Sequence, residues 1–263
     1  MTTGQPPAGE PGTTGPRDWD ARTYDRVADP MTRWGASVLD RLPLSGAETV
    51  LDAGCGSGRV TELLAERLPA GRVIALDGSP AMIDAARERL SRFGDRIDYV
   101  VADLGQPLPI PDASLDAVLS TATFHWVPDH DALFRHLAAA TRPGGWLVAQ
   151  CGGSGNIANI VRALASIGDG WLGTVHFEGA LATTRRLDAA GYVDIECWLS
   201  DEPTRFEPGE PFETYLRTVV LGAHLERLPP AEHDAFVHEV ATRAGEPVID
   251  YVRLNIVARR SSR

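Results

Sequence analysis

The stretch Val50-Leu51-Asp52-Ala53-Gly54-Cys55-Gly56-Ser57-Gly58 decides the fold. An apolar run ends in an acid and is followed by glycines at alternate positions. Arg59 to Arg67 then places Val60, Leu63 and Leu64 on one side of a predicted helix. Spaced glycines let the chain turn tightly between strand and helix and let its backbone approach a ligand closely. A purely structural strand-to-helix turn also uses glycine, but three after an apolar strand favour the ligand reading. A dinucleotide loop would read GxGxxG. Here Gly58 follows Gly56 by two positions and Arg59 comes next, so an adenosine ligand without a pyrophosphate fits better.

Working outward, apolar runs alternate with amphipathic segments. Strands are expected at Thr49–Asp52, Arg72–Asp77, Ile97–Asp103, Leu115–Ser120 and Trp146–Gln150. Helices are expected at Met31–Arg41, Arg59–Arg67, from Pro80 behind a Ser79 cap to Arg92, and Asp129–Arg142. This β-α order predicts a parallel sheet with helices on both faces. Later come helices near Asn156–Ile167 and Gly179–Ala190, and a strand near Asp194–Leu199. Two helical segments, Phe212–Arg227 and Ala231–Arg243, precede a last apolar strand, Tyr251–Ala258. They interrupt the strands as an insertion. The expected division is a disordered tail at 1–17, a core at 18–200, a helical insertion at 201–247 and a final strand and tail at 248–263.

Asp77 ends the second strand, 19 residues after Gly58. A carboxylate there can accept hydrogen bonds from both hydroxyls of a ribose. Asp103 ends the third and can accept from an adenine amino group. One strand-terminal Asp is often only a turn residue. Asp52, Asp77 and Asp103 in succession mark the sheet edge where open α/β folds bind ligands.

These motifs, with Val101-Ala102-Asp103, Leu115-Asp-Ala-Val-Leu-Ser120 and Arg142-Pro-Gly-Gly-Trp146, resemble the class I S-adenosylmethionine-dependent methyltransferases. The resemblance is strong over about residues 45–150. It implies an α/β, Rossmann-like doubly wound sheet of seven strands, the last antiparallel, with the insertion as a helical lid. It implies S-adenosyl-L-methionine as cofactor, with Asp52, Gly54, Cys55 and Gly56 toward its methionine part, Asp77 at the ribose and Asp103 at the adenine. Gly78 and Met82 would flank the adenine, and Ala102, Leu104 and Thr121 would complete the cofactor contacts. Trp19 and Tyr24, Phe124-His-Trp-Val127, and Tyr215-Leu-Arg217 are similar to trans-aconitate methyltransferases, which makes a small carboxylic acid a candidate acceptor.

His125, just after the fourth strand, is the candidate general base; the alternative is that it and Trp126 only wall the pocket. The candidate acceptor contacts are Tyr24, Arg33, Trp126, Tyr215, Arg217 and His224. Arg217 is the first choice for a carboxylate clamp and Arg33 the second, each against the alternative of an ordinary ion pair. Trp171, Phe177 and Trp198 read as packing residues, or as an aromatic pocket for an apolar acceptor.

Composition narrows the chemistry. The chain has 263 residues, 36 Asp+Glu against 25 Lys+Arg and a net charge of −11, and every one of those cations is arginine. Without lysine there is no P-loop lysine and no Schiff-base chemistry. The acidic balance argues against nucleic acid. Cys55, Cys151 and Cys197 are dispersed, without a CxxC, and read as reduced thiols rather than a disulfide framework or metal site. No apolar run is long enough to span a bilayer, and the N-terminal stretch does not read as a secretory signal. The expectation is a cytoplasmic enzyme, monomer or homodimer, without metal. It methylates a small molecule, most readily at oxygen. Alternatives are C-methylation of a quinone or natural-product acceptor, or a non-catalytic cofactor-binding protein.

Overall fold

Five apolar runs pair as parallel strands because the helices between them cover both faces of the sheet. The structure is a computed structural model that describes residues 19, 20, 29–168 and 171–262. The expected tail at 1–17 lies outside the described residues. In chain order the elements are α1 (Asp29–Leu39), β1 (Thr49–Ala53), α2 (Arg59–Glu66), β2 (Arg72–Asp77), α3 (Pro80–Leu90), β3 (Ile97–Val101), β4 (Leu115–Thr121), α4 (His130–Ala140), β5 (Thr141–Gly152), α5 (Ala158–Ile167), α6 (Ala180–Ala189), β6 (Tyr192–Asp201), α7 (Glu210–Tyr215), α8 (His233–Ala244) and β7 (Val252–Arg260).

The seven-stranded sheet has the order β3-β2-β1-β4-β5-β7-β6. Strand β7 runs antiparallel to both β5 and β6. The strand order reverses between β1 and β4, and such a switch opens a crevice at the carboxyl edge. Because β7 is antiparallel, its first residues lie on that same edge: Arg253 sits opposite Gly152, the last residue of β5.

Alternate residues of β1 face opposite cores. Leu51 and Ala53 pack with Phe134 and Leu137 of α4. Val50 packs with α1, α2 and α3 through Val38, Leu64 and Ile83. A third apolar cluster forms a cap from Trp34 of α1, Ile160 and Leu164 of α5, and Leu216, Val237 and Tyr251 from 206–251. The cap therefore draws on three separate stretches of chain, not on 201–247 alone.

Three sequence expectations shift. Strand β3 stops at Val101 because the Asp103 carboxylate accepts the Gly105 N–H at 2.8 Å and turns the chain. Strand β5 begins at Thr141, before Pro143; its pairing jumps from Leu115↔Thr141 to Ala117↔Trp146, which bulges out the proline and glycines. The expected helix Phe212–Arg227 is broken. After α7, Leu216–Val220 forms a π turn closed by Leu221 N–H donating to Leu216 C=O at 2.8 Å, and a single turn Gly222–Leu225 follows. Among the described residues, no helix is long and apolar enough to cross a membrane.

Candidate active site

The glycine loop is tied to β2 from behind. The N–H groups of Gly54 and Cys55 both donate to Leu76 C=O, at 2.7 and 2.9 Å. Gly54, Gly56 and Gly58 all have φ in the left-handed region, at 84°, 53° and 85°. A Cβ on Gly54 would overlap the Thr123 side chain, whereas one on Gly56 would meet no protein atom within 4 Å. Gly54 is thus required for packing, while Gly56 keeps an approach open to a ligand.

The Asp77 carboxylate is held by two backbone donors, Gly56 N–H on Oδ2 and Ser79 N–H on Oδ1, both at 2.9 Å. Each oxygen of an ionised carboxylate has a second acceptor position, which suits a pair of ribose hydroxyls. Asp52 is wholly buried. Its Oδ2 accepts from Thr61 Oγ1 at 2.7 Å, and its Oδ1 has no hydrogen-bond partner. Burial, opposed by the Thr61 bond and assisted by the nearby Asp77 charge, pushes its pKa up to about 7. Asp52 thus stands behind the loop, bonded to Thr61, rather than at the cavity surface as expected.

A cavity of about 880 Å³ lies over this edge. Gly54, Gly56, Asp77, Gly78, Met82, Ala102, Asp103, Leu104 and Thr121 all line it. Cys55 does not: its buried side chain packs in the core with α1, α2 and α3, and burial drives its thiol pKa far upward. A row of carboxylates, an open glycine and an apolar floor at Met82 and Leu104 fit an adenosine ligand bearing a small charged tail, so the residues present suit S-adenosylmethionine.

The acceptor side differs from expectation. Trp126, His125 and His224 line the cavity, while Tyr24 lies outside the described residues. Arg33 is exposed on α1 and does not line the cavity. Arg217 is also absent from the lining; its guanidinium is ion-paired with Asp234 at the surface, which corrects the expected clamp. Tyr215 is buried in the cap, its hydroxyl 2.5 Å from that of Tyr251, and it is Tyr251 that reaches the cavity. Trp171 packs edge-on to His224 beneath Arg227, Trp198 sits at the surface under Arg41, and Phe177 lines the cavity, stacked on His125.

Among the described residues, the arginine that reaches the cavity is Arg253, only 2% exposed. Its guanidinium lies 4.7 Å over Trp34, and its Nε donates to Gln150 Oε1 at 3.4 Å. Gln150 Nε2 in turn donates to Asn255 Oδ1 at 2.9 Å, which also accepts from Arg41. This chain of amides orients the guanidinium fork. The signal in the sequence was there: Arg253 and Asn255 stand two apart in an otherwise apolar strand, so they share one buried face.

His125 is buried, and burial first, then the Arg253 charge, holds its pKa well below the usual imidazole range. The Gly152 N–H donates to its Nδ1 at 3.3 Å, so the neutral ring carries its proton on Nε2. A neutral histidine in that tautomer donates a hydrogen bond. Its lowered basicity, and a Gly152 N–H on the one nitrogen that could take a proton, argue against the base role.

A family model described as a methyltransferase domain matches residues 50–145. A trans-aconitate 2-methyltransferase of Methylobacterium radiotolerans is 32% identical, with 93% of this chain and 99% of the relative covered. Another from Paracidovorax citrulli is 31% identical over the same shares. Among solved structures, the YcgJ protein of Bacillus subtilis superposes with a TM-score of 0.64 at 13% identity, covering 87% of this chain and 98% of that one. A Haemonchus contortus phosphoethanolamine N-methyltransferase bound to S-adenosyl-L-methionine gives 0.62 at 19% identity, covering 92% and 57%. The chain belongs to the class I S-adenosylmethionine-dependent methyltransferases. It is an enzyme, and S-adenosyl-L-methionine is its cofactor.

Proposed function

We propose that the protein transfers a methyl group to a carboxylate oxygen of a small acid. The observation that carries this is Arg253, a buried guanidinium lining the acceptor side of the cavity. A planar fork of N–H donors suits a carboxylate. The acceptor named for the relatives, trans-aconitate, is also a carboxylate.

When bound, S-adenosyl-L-methionine would supply an electrophilic methyl group, with its thioether as the leaving group. The protein's share is alignment. Asp77 and Asp103 hold the adenosine end, and the glycine loop lets the methionine end come close. Arg253 orients the acceptor carboxylate, and His125 Nε2–H contributes a neutral donor beside it. A carboxylate is already ionised at neutral pH, so no base is required. This accords with a histidine that cannot readily accept a proton. Trp126 and the cap exclude water.

Radiolabelled methyl transfer from S-adenosyl-L-methionine to a panel of acids, phenols and amines tests this. The expected product is a methyl ester, released as methanol by mild alkali. An alkali-stable product from a phenol or amine, with no ester from any acid, would reject the proposal.

A further inference from the structure

Besides Arg253 and polar residues such as His125, Asn156 and His224, the acceptor side carries a continuous apolar wall. Met31, Ile157, Val161, Leu164, Val219 and Val220 form it. They belong to a single cluster with Trp34 and Tyr251, the two rings on which the Arg253 guanidinium rests. The cationic point and the apolar wall are therefore continuous.

Two backbone features build that wall. Ile157 has a φ of 52°, a conformation a β-branched residue rarely adopts, and it opens α5. Its N–H donates to Asp250 C=O at 2.8 Å, which helps hold the strained residue in place. The π turn at Leu216–Val220 widens the helix by one residue. The consecutive residues Val219 and Val220 within it both reach the cavity.

Charge points the same way. Among the described lining residues, the formal charges are Asp77, Asp103, Asp129 and Glu226 against Arg253. Asp77 and Asp103 belong to the cofactor side. His125 is held neutral. A tricarboxylate such as trans-aconitate would bring three negative charges to a surface with one described cation and long apolar flanks. Burying carboxylates there without partners is costly.

We propose that the preferred acceptor is a monocarboxylic acid with an extended apolar body, its carboxylate at Arg253 and its body along the wall of Ile157, Val161, Leu164, Val219 and Val220. This rests on the carboxylate reading above, and it departs from the polyanionic acceptor for which the relatives are named.

The test uses the full chain loaded with S-adenosylhomocysteine. Calorimetry follows the binding of hexanoate, octanoate, decanoate and trans-aconitate, and ester formation from the same acids is measured with S-adenosyl-L-methionine. Affinity is expected to rise about fourfold per methylene until the body fills the cavity. Decanoate should bind at least about tenfold more tightly than trans-aconitate and be esterified in the same rank order. Val161→Asp should lower decanoate affinity by about tenfold or more without moving that for S-adenosylhomocysteine. If that variant does not fold, the near-isosteric Val161→Thr should show a smaller loss of the same kind. Tighter binding of trans-aconitate, no dependence on chain length, or no binding by any of the monocarboxylates would overturn the proposal. In the first two cases, ester formation leaves the carboxylate reading standing. Methylation of an uncharged phenol with no ester from any acid would remove both.

Discussion

The two sides of the cavity are built by opposite means. The cofactor side is local: Asp77 is held by Gly56 and Ser79, and Asp103 by Gly105, all within about one strand-turn-helix unit. Polar groups there are fixed by neighbouring backbone N–H groups. The acceptor side is assembled from α1, the chain around α5, the π turn and the start of β7, and its buried Arg253 guanidinium is oriented by the Gln150 side chain 103 residues away. Where the ligand is constant, short-range geometry suffices; where the acceptor varies between enzymes, the pocket is made by long-range packing that can change without touching the cofactor.

The sharpest way to break this contrast is within the glycine loop. Gly54→Ala should destabilise the fold by about 3 kcal/mol or more, because both φ and the Thr123 side chain oppose a Cβ. Gly56→Ala should lose only about 1 kcal/mol, the cost of its own left-handed φ, yet lose cofactor affinity, since a methyl group there enters the cavity. Equal stability losses in the two variants would contradict the division of labour.

Next in size is a reciprocal pair. Asp77→Ala should weaken S-adenosyl-L-methionine binding by roughly 100-fold, the scale of losing two charge-assisted hydrogen bonds. Arg253→Met should reduce kcat/KM for an acid by about the same factor while cofactor affinity, read by calorimetry, stays within about twofold. If each variant disturbed both ligands equally, the two sides would not be separable.

Asp52 gives a pH test confined to the cofactor side. Its folded-state pKa of about 7 lies above the ordinary 3.8. Folding therefore takes up a proton between these values. The contribution is fully present below about pH 4 and is lost as pH rises through about 7. Asp52→Asn should flatten this part of the pH–stability profile and make the ligand-free protein about 1–3 kcal/mol more stable at pH 8 than wild type. A wild-type profile that does not fall between pH 5 and 8 in comparison with the variant would refute the buried, proton-holding carboxylate. The smallest effect belongs to Arg217→Ala. Its exposed pair with Asp234 should contribute less than about 1 kcal/mol, and esterification kinetics should be unchanged. A large loss of turnover would restore it as the clamp.

Much of the cofactor side was legible because its signals are short-range: a glycine turn after an apolar strand, an Asp at each of three strand ends, a serine cap before Pro80. Ser79 does cap α3, accepting from Met82 N–H at 3.2 Å. Cys55 was misplaced because a motif names a position in the chain, not the direction of its side chain. On the acceptor side, Arg217 stands two residues after Tyr215, which on a regular helix turns it about 200° away, and Asp234 of α8 takes up its guanidinium. His125 was located by its place after β4, but its tautomer depends on Gly152, 27 residues on.

The sequence by itself determined the order of strands and helices, the class of ligand and the acids that line the glycine edge, because hydrophobic period and turn chemistry act over a few residues. Only the tertiary structure decided which arginine among the described residues lines the cavity. That choice rests on an antiparallel strand bringing Arg253 beside the end of β5, on aromatic rings from two further segments supporting it, and on burial holding His125 neutral. Those are consequences of packing between residues far apart in the chain, and no local pattern encodes them.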